Sequence, residues 1–378
     1  MRNCWIAFVL IAAASAAQAQ DKKKDPSPDV FKPGAIWKVN ITVDPDNLKL
    51  LQREPRKYVR AKVAINDENF EDVGIHIKGA AGSTRDWNDK PALTLNTDKF
   101  KKDQKWKGLD KFHLNNSVQD GCYMNEILCS EISRNMGLPT ARGTHAIVTL
   151  NDRMVNLYVL KEGYNGKFIE RNFPNEKGGL LYDGGFVQDI NADLKLDDGE
   201  SDDRKSLKAL ANACNDGDAN NRYAAVEKLV NLDLFCKMAA LQMVCCDWDG
   251  YCRNSNNYRL YFPPKDGKAV FIPHGMDQMF GNTGESLWHG AGGMVWRTVM
   301  EHPEGKKKAI AAIKELCEKH FKLETLNKRI DEWTKPVLEA LKANGDKDPT
   351  WFENEAKGLK DRLKQRSEYI TRELPNLK

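Results

Sequence analysis

Apolar residues recur along this chain with two periods, and the change from one to the other divides it in two. Between residues 36 and 162 the period is two: Val39, Ile41 and Val43 alternate with polar neighbours, and Val73, Ile75 and Ile77 alternate with Gly74, His76 and Lys78. That pattern predicts strands with one buried face. Ala146 to Leu150 and Met154 to Leu160 flank Asn151-Asp152-Arg153 and read as a hairpin. One helix interrupts this part, from about Met124 to Met136, capped by Gly137 and kept from resuming by Pro139. Beyond residue 163 helical spacing takes over. Leu229 to Cys245 predicts a largely buried helix, and Ile310, Ile313 and Leu316, then Leu326, Ile330, Trp333, Val337 and Leu341, predict amphipathic ones. A charged last helix runs from about Trp351 to Arg372. Asn257 to Phe262 and Ala269 to Ile272 form a second predicted hairpin across a Pro-Pro-Lys-Asp-Gly turn. The expectation is an α+β fold, an antiparallel-sheet part over 36–162 followed by a mainly helical part over 163–378.

Two carboxylates bracket that second hairpin. Asp249 follows the buried helix in CDWDGYCRNSNNYRLY, and Asp277 follows the second strand in FIPHGMDQMFG. Buried helix, Asp-bearing loop, hairpin and second Asp is the order in which protein kinases place a catalytic Asp, a metal-binding Asn and a metal-binding Asp around one nucleotide. Asp249 precedes Asn254 by the separation of the kinase catalytic-loop signature; Asn257 competes as the ligand and Asp247 as the base. Phe280-Gly281 trails Asp277 by two extra residues, so Asp-Phe-Gly is not literally present. Amide oxygens between the two acids favour hard-metal and phosphate chemistry over the bare acid pair of a glycosidase.

Lys78 points away from its apolar row and runs into Gly79-Ala80-Ala81-Gly82-Ser83-Thr84, a small-residue turn whose amides at Gly79, Gly82 and Ser83 can approach phosphate oxygens. No Gly-Lys-Ser/Thr closes the turn, so it is not a Walker motif, and the alternative is a surface hairpin with a solvated lysine. On the helix over 124–136, Glu131 falls within the apolar stripe while Glu126 falls opposite. A buried carboxylate needs a partner; Lys78 is the expected one, an unrelated arginine the alternative. Lys161-Glu162-Gly163-Tyr164 resembles the hinge where a kinase backbone meets adenine, with Glu162 as its marker.

With these segments in hand the chain resembles the CotH family, the spore-coat-protein-H kinases. GIHIKGAAGSTRDWNDKPALTLN, the helix ending in RNMGLPTAR, VNLYVLKEGYNGKFIERNF, and DWDGYCRNSNNYRLY through PHGMDQMFG carry the resemblance. It implies a kinase-like two-lobed fold, N-lobe over 36–162 and C-lobe over 163–378, that binds ATP with Mg2+ or Mn2+ and phosphorylates Ser or Thr on exported proteins. In that scheme Asp249 is the catalytic base, Asp277 with Asn254 or Asn257 holds metal, and Lys78 with Glu131 orients phosphate. The competing expectation is an exported surface or matrix binding protein that keeps the fold and transfers nothing.

Composition narrows the context. Residues 1 to 19 carry Arg2, an apolar run from Trp5 to Ala14 and Ala17-Gln18-Ala19, the pattern of a cleavable signal peptide. A periplasmic or extracellular product without a membrane span is expected, with a flexible leader over 20–35. Lys and Arg (58) are spread among Asp and Glu (54), so no basic block argues for nucleic acid. The eight cysteines beyond Cys4 leave disulfides and buried thiols as equal readings. Asp189, Asn191, Asp193, Asp197 and Glu200 follow calcium-loop offsets, but Leu194 stands where that loop needs Gly, which favours a plain acidic loop before a helix over 206–214. No HExxH pair and no G-x-S-x-G elbow supports a metalloprotease or serine hydrolase.

Overall fold

The structure is a computed structural model that describes residues 27–200, 204–289 and 292–377. The predicted signal peptide and the first part of the leader lie outside these residues. The alternating segments become β1 (Ile36–Thr42), β2 (Val59–Ile65), β3 (Glu68–Lys78), β4 (Ala92–Asn96), β5 (Lys111–Asn115), β6 (Gly143–Leu150) and β7 (Arg153–Glu162). They close into a barrel of order β1-β2-β3-β4-β5-β7-β6. The antiparallel sheet expected from the sequence is thereby corrected: β1 and β6 pair in parallel, Ile36 beside His145 through Ile41 beside Leu150, and no edge is left open. Every second side chain points inward, so Val39, Ile41, Val63, Ile75, Leu95 and Leu160 share one core. Helix α1 (Pro45–Arg53) starts at Asp44, whose carboxylate accepts from the Asp46 and Asn47 amides. Helix α2 (Asn125–Asn135) lies outside the barrel against β6. The leader is packed from Ser27 on: Ser27 and Val30 are buried in a short turn of helix, and the Arg142 guanidinium lies 4.7 Å from the Phe31 ring centroid.

The rest of the chain contains α3 (Gly166–Asn172), β8 (Leu180–Asp183), β9 (Lys195–Asp198), α4 (Lys205–Cys214), α5 (Ala219–Leu229), α6 (Leu232–Val244), α7 (Tyr251–Asn254), β10 (Tyr258–Phe262), β11 (Val270–Pro273), α8 (Met294–Glu301), α9 (Pro303–Glu315), α10 (Leu323–Ala343) and α11 (Thr350–Glu373). The predicted hairpin is β10–β11, extended by β8 and β9 into a sheet of order β11-β10-β8-β9. The helix expected over Leu229 to Cys245 starts late because Val230 is extended and the Asn231 side chain caps α6 at the Leu234 amide. The apolar face of α6 joins α8, α9, α10 and α11 in a second core.

The calcium reading fails on geometry. Asp189 spends both carboxylate oxygens on Tyr251, Ser255 and the Ile190 and Met294 amides, Asp197 is ion-paired to Arg259, and β9 runs through the middle of the proposed loop. All eight cysteines of the described residues are free thiols, six of them buried. No described helix is long and apolar enough to cross a membrane.

Candidate active site

The outer face of the barrel turns polar where β3, β4, β5 and β7 lie side by side. His76 pairs with Thr94, Thr94 with His113 and His113 with Lys161, so one row of side chains crosses four strands. Lys78 and Asn115 stand two residues further along the same face. Lys161 is 1% exposed and Glu126, reaching over from α2, is 4% exposed. They form a buried ion pair between Lys161 Nζ and Glu126 Oε1. Asn115 then bridges outward: its Nδ2 donates to Glu126 Oε2 (2.6 Å) and its Oδ1 accepts from Lys78 Nζ. Lys161 Nζ also lies 3.2 Å from His274 Nδ1. Burial works against both members of the pair, yet each outweighs it for the other, so the Glu126 carboxyl is held below its ordinary value and the Lys161 ammonium above. Among the described residues no carboxylate pairs directly with Lys78; burial and the neighbouring Lys161 pull it down to about 8.

The sequence reading put Glu131 in this place, and the structure corrects it. The Asn125 amide donates to Asp120 Oδ2 (3.0 Å) and the Asn125 side chain to the Asp277 carbonyl (2.9 Å), which fixes the first turn of α2 with Glu126 inward. Five residues on, a helix has turned about 140° from that direction. Glu131 there meets Arg329 of α10 at 2.8 Å, the unrelated arginine of the alternative reading. Glu131→Ala is therefore expected to cost less than about 1 kcal/mol in urea denaturation and to leave nucleotide-induced thermal shifts unchanged.

The acidic side of the site is built by the end of α6 and two loops. The Asp247 amide donates to the Gln242 carbonyl (2.8 Å), and the Gln242 side-chain oxygen accepts from the Cys252 amide (3.0 Å). Gly250 leaves room for this arrangement, since a Cβ there would lie 2.4 Å from Asp247 Oδ2. Asp249 Oδ2 accepts from Asn256 and Asn257, each at 3.0 Å. Asn254 turns back onto the Trp248 carbonyl (2.8 Å), so Asn257 rather than Asn254 holds the Asp249 side chain. The loop bearing Asp277 is tied at both ends, the His274 amide to the Asn257 carbonyl (3.1 Å) and the Phe280 amide to the Cys245 carbonyl (2.9 Å). Cys246, Ser255, Asn257 and Phe280 all have positive φ, a concentration of strained backbone around the three acids that points to function.

Burial raises Asp247 to about 8, with Asp249 and Asp277 repelling it, and raises Asp277 to about 7, with Glu126 and Asp120 repelling it. The Asp277 charge in turn opposes the fall at Lys78, so the basic row and the acids share one field. Among the described residues no three His, Cys, Asp or Glu side chains converge on one metal position. A magnesium ion needs only one or two carboxylates when waters and phosphate oxygens complete its shell, and the hard donors Asp277 and Asn257 fit that pattern. The buried Asp247 and Asp277 carboxyls, both raised above their ordinary value, fit it as well, since a bound cation would offset the cost of their charge.

Two other predicted features serve the framework. Gly79 and Gly82 adopt positive φ, but the turn is exposed and Ser83 closes it internally, accepting from the Ala80 amide at 3.1 Å. Glu162 is buried between Arg142 (2.7 Å) and Arg171 (2.6 Å), its amide donates to the Arg142 carbonyl and that of Gly163 to the Lys111 carbonyl. The donors expected to meet adenine are thus consumed within the barrel, and Glu162 is an anchor. Glu126, Asn115 and Lys161 escaped the sequence reading. Strand parity was the available signal for Lys161, because Leu157 and Val159 share its face while Tyr158 and Leu160 point into the barrel.

Residues 75–370 match the family model described as CotH kinase protein, a span containing every residue of this site. The chain belongs to the CotH kinase protein family. Two Rhizopus delemar proteins are similar to it: Invasin CotH7, 24% identical over 61% of this chain and 41% of its own length, and Invasin CotH3, 27% identical over 45% and 31%. The chain thus spans less than half of either relative. Among solved structures, the Helicobacter pylori proinflammatory kinase CtkA overlaps 74% of this chain and 94% of its own at 10% identity and TM-score 0.38. HipA in the Shewanella oneidensis HipA, HipB and operator DNA complex overlaps 80% and 67% at 11% identity and TM-score 0.40.

Proposed function

We propose that this chain is an exported protein kinase that transfers the γ-phosphate of ATP to Ser or Thr hydroxyls of secreted or envelope proteins, with the barrel and the helical part as its two lobes. The observation that carries the reading is the buried Lys161–Glu126 pair, extended through Asn115 to Lys78 and sharing a field with Asp277. Lys78, charged and held by an amide rather than by a carboxylate, keeps its positive charge available to phosphate oxygens. Glu126 keeps Lys161 protonated inside the protein. Asp249 has one oxygen fixed by Asn256 and Asn257, which aims the carboxylate to take the proton of an acceptor hydroxyl. Asp277 and Asn257 would hold a magnesium or manganese ion, which when bound neutralises charge on the transferred group. Export rests on the amino-terminal pattern of residues 1 to 19, and the periplasm or the exterior is the proposed destination.

Purified protein incubated with γ-labelled ATP and Mn2+ tests this. A metal-dependent thermal shift with ATP and transfer of label to protein hydroxyls are expected; neither shift nor transfer would sink the proposal. A second reading, an exported surface-binding protein without transfer, is favoured by the name invasin borne by both curated relatives. It predicts surface binding that Asp249→Ala leaves intact and no response to nucleotide.

A further inference from the structure

Helix α6 ends without the glycine that ordinarily closes a helix. Cys246 takes the left-handed conformation in its place (φ 56°), and the Asp247 amide returns to the Gln242 carbonyl. The Leu241 carbonyl accepts from the Cys245 amide, and the Cys245 carbonyl from the Phe280 amide. That leaves the carbonyls of Met243 and Val244, two of the acceptors a helix leaves over at its end, inside the second core. Both go to Arg366 of α11, which is 122 positions from Val244. Its Nη2 donates to the Met243 carbonyl (2.7 Å) and its Nε to that of Val244 (2.9 Å). Its Nη1 donates to the carbonyls of Thr283 (3.0 Å) and Glu285 (2.5 Å). Arg366 is 0% exposed, and its hydrogen bonds among the described residues go to these carbonyls and to no carboxylate.

These carbonyls belong to the two segments that carry the acids. Met243 and Val244 run into Asp247 and Asp249, while Thr283 and Glu285 follow Asp277. Glu285 extends the connection, because its carboxylate is ion-paired to Arg253 of α7, between Asp249 and Asn257. The helix that bears Arg366 is seated elsewhere in the molecule. The Phe352 ring in its first turn lies 6.4 Å from the ring of His145 in β6, and Lys360 is ion-paired to Asp331 of α10. A cation taken wholly out of water is costly, and an apolar residue would pack α11 without that cost. What an apolar residue cannot do is satisfy four fixed acceptors; a planar fork of five N–H groups can, and an ammonium with three cannot. We propose that Arg366 is a positioning residue of the transfer site, holding the Asp249 segment and the Asp277 segment at a fixed separation from the side away from solvent. The reaction it serves rests on the kinase reading, whereas the joint between the two segments does not.

Hydrogen exchange of the full chain, read by mass spectrometry, tests the joint, and label transfer from ATP tests what it serves. In Arg366→Lys, which keeps the charge and loses the fork, peptides covering 243–250 and 277–286 should exchange about tenfold or more faster while those of the barrel strands are unchanged. Turnover should fall about tenfold or more with KM for ATP changed by less than about threefold, because the acids are displaced and the lysines of the barrel are not. Leu359→Ala, a cavity at a wholly buried position of the same helix, is the comparison for a merely structural role. It should lower the melting temperature without singling out the two acid segments and without changing turnover. Unchanged exchange at those segments, exchange that rises evenly through barrel and helices, the same pattern in Leu359→Ala, or a raised KM with turnover intact overturns the proposal. Wild-type protein that transfers no label removes the kinase reading instead, and the exchange pattern then decides for or against Arg366 by itself.

Discussion

Glu126→Ala is expected to lower the stability of the folded protein by about 3–5 kcal/mol, because it strands the Lys161 ammonium in the interior with no counter-ion. Few other single changes to this site should cost as much, since breaking a buried pair leaves the whole desolvation cost of the remaining charge. Removing both partners, as in Glu126→Leu with Lys161→Met, should restore most of the loss, because a hydrophobic replacement of a buried pair is often neutral or better. The effect should be flat across neutral pH. Lys161 is raised above its unfolded value, so its share is full below that value and is lost only as pH climbs through the folded one. Glu126 is lowered, so its share is full above the ordinary carboxyl value and is lost only as pH falls through the folded one. Urea denaturation of the single and double variants checks this, and a single-variant loss under about 1 kcal/mol would contradict the assigned pair. Nucleotide-dependent thermal shifts should vanish in the double variant even where it is stable, because Lys78 then loses the Glu126 end of its Asn115 bridge.

The largest effect on transfer is expected at the acids. Asp249→Ala should slow label transfer by about 10²–10⁴-fold, the range for a general base, while leaving nucleotide binding in place. Asp277→Asn should instead remove the metal dependence of the nucleotide shift. Its pH signature separates the two. The folded Asp277 carboxyl, raised by burial from 3.8 to about 7, holds its proton over a range where the unfolded one has released it. The folded state then binds more protons, so metal-free wild-type protein should lose stability as pH rises toward 7, and Asp277→Asn should lose less over that range. Added Mg2+ should release protons below pH 7 and stabilise wild type more than the variant. Equal pH curves for the two proteins would remove Asp277 as the buried acid of the site.

What the sequence disclosed and what it withheld follows from the range of the forces involved. Strand alternation is local, so the faces of β1 and β3 and the outward turn of Lys78 were readable from Val39, Ile41, Ile75 and Ile77 alone. The acid-bearing loops around Asp249 and Asp277 were readable for the same reason, being bounded by a buried helix and a hairpin. Glu126 was not. Eight of the eleven residues of α2 are buried, so the helix has no single polar face to set its phase, and only the contacts of Asn125 with Asp120 and Asp277 fix it. Lys161 was assigned to a hinge because Lys-Glu-Gly follows a strand; that β5 lies alongside β7 and brings Asn115 and His113 to its face is a matter of tertiary pairing. The strands β8 and β9 are four residues each, and the acids of β9 read as a loop until Arg259 is seen across the sheet from Asp197.

The parallel seam between β1 and β6 has a kinetic consequence. Ala35 and Thr144, which meet at that seam, are 109 positions apart. A polypeptide emerging amino end first must keep its opening strand unsatisfied until the sixth has been made, so the barrel has a high contact order and a late, costly loop closure. The wall that carries both lysines cannot be finished before then. The proposed capacity to hold phosphate should consequently appear all at once, near the end of assembly of the first 162 residues, rather than growing strand by strand.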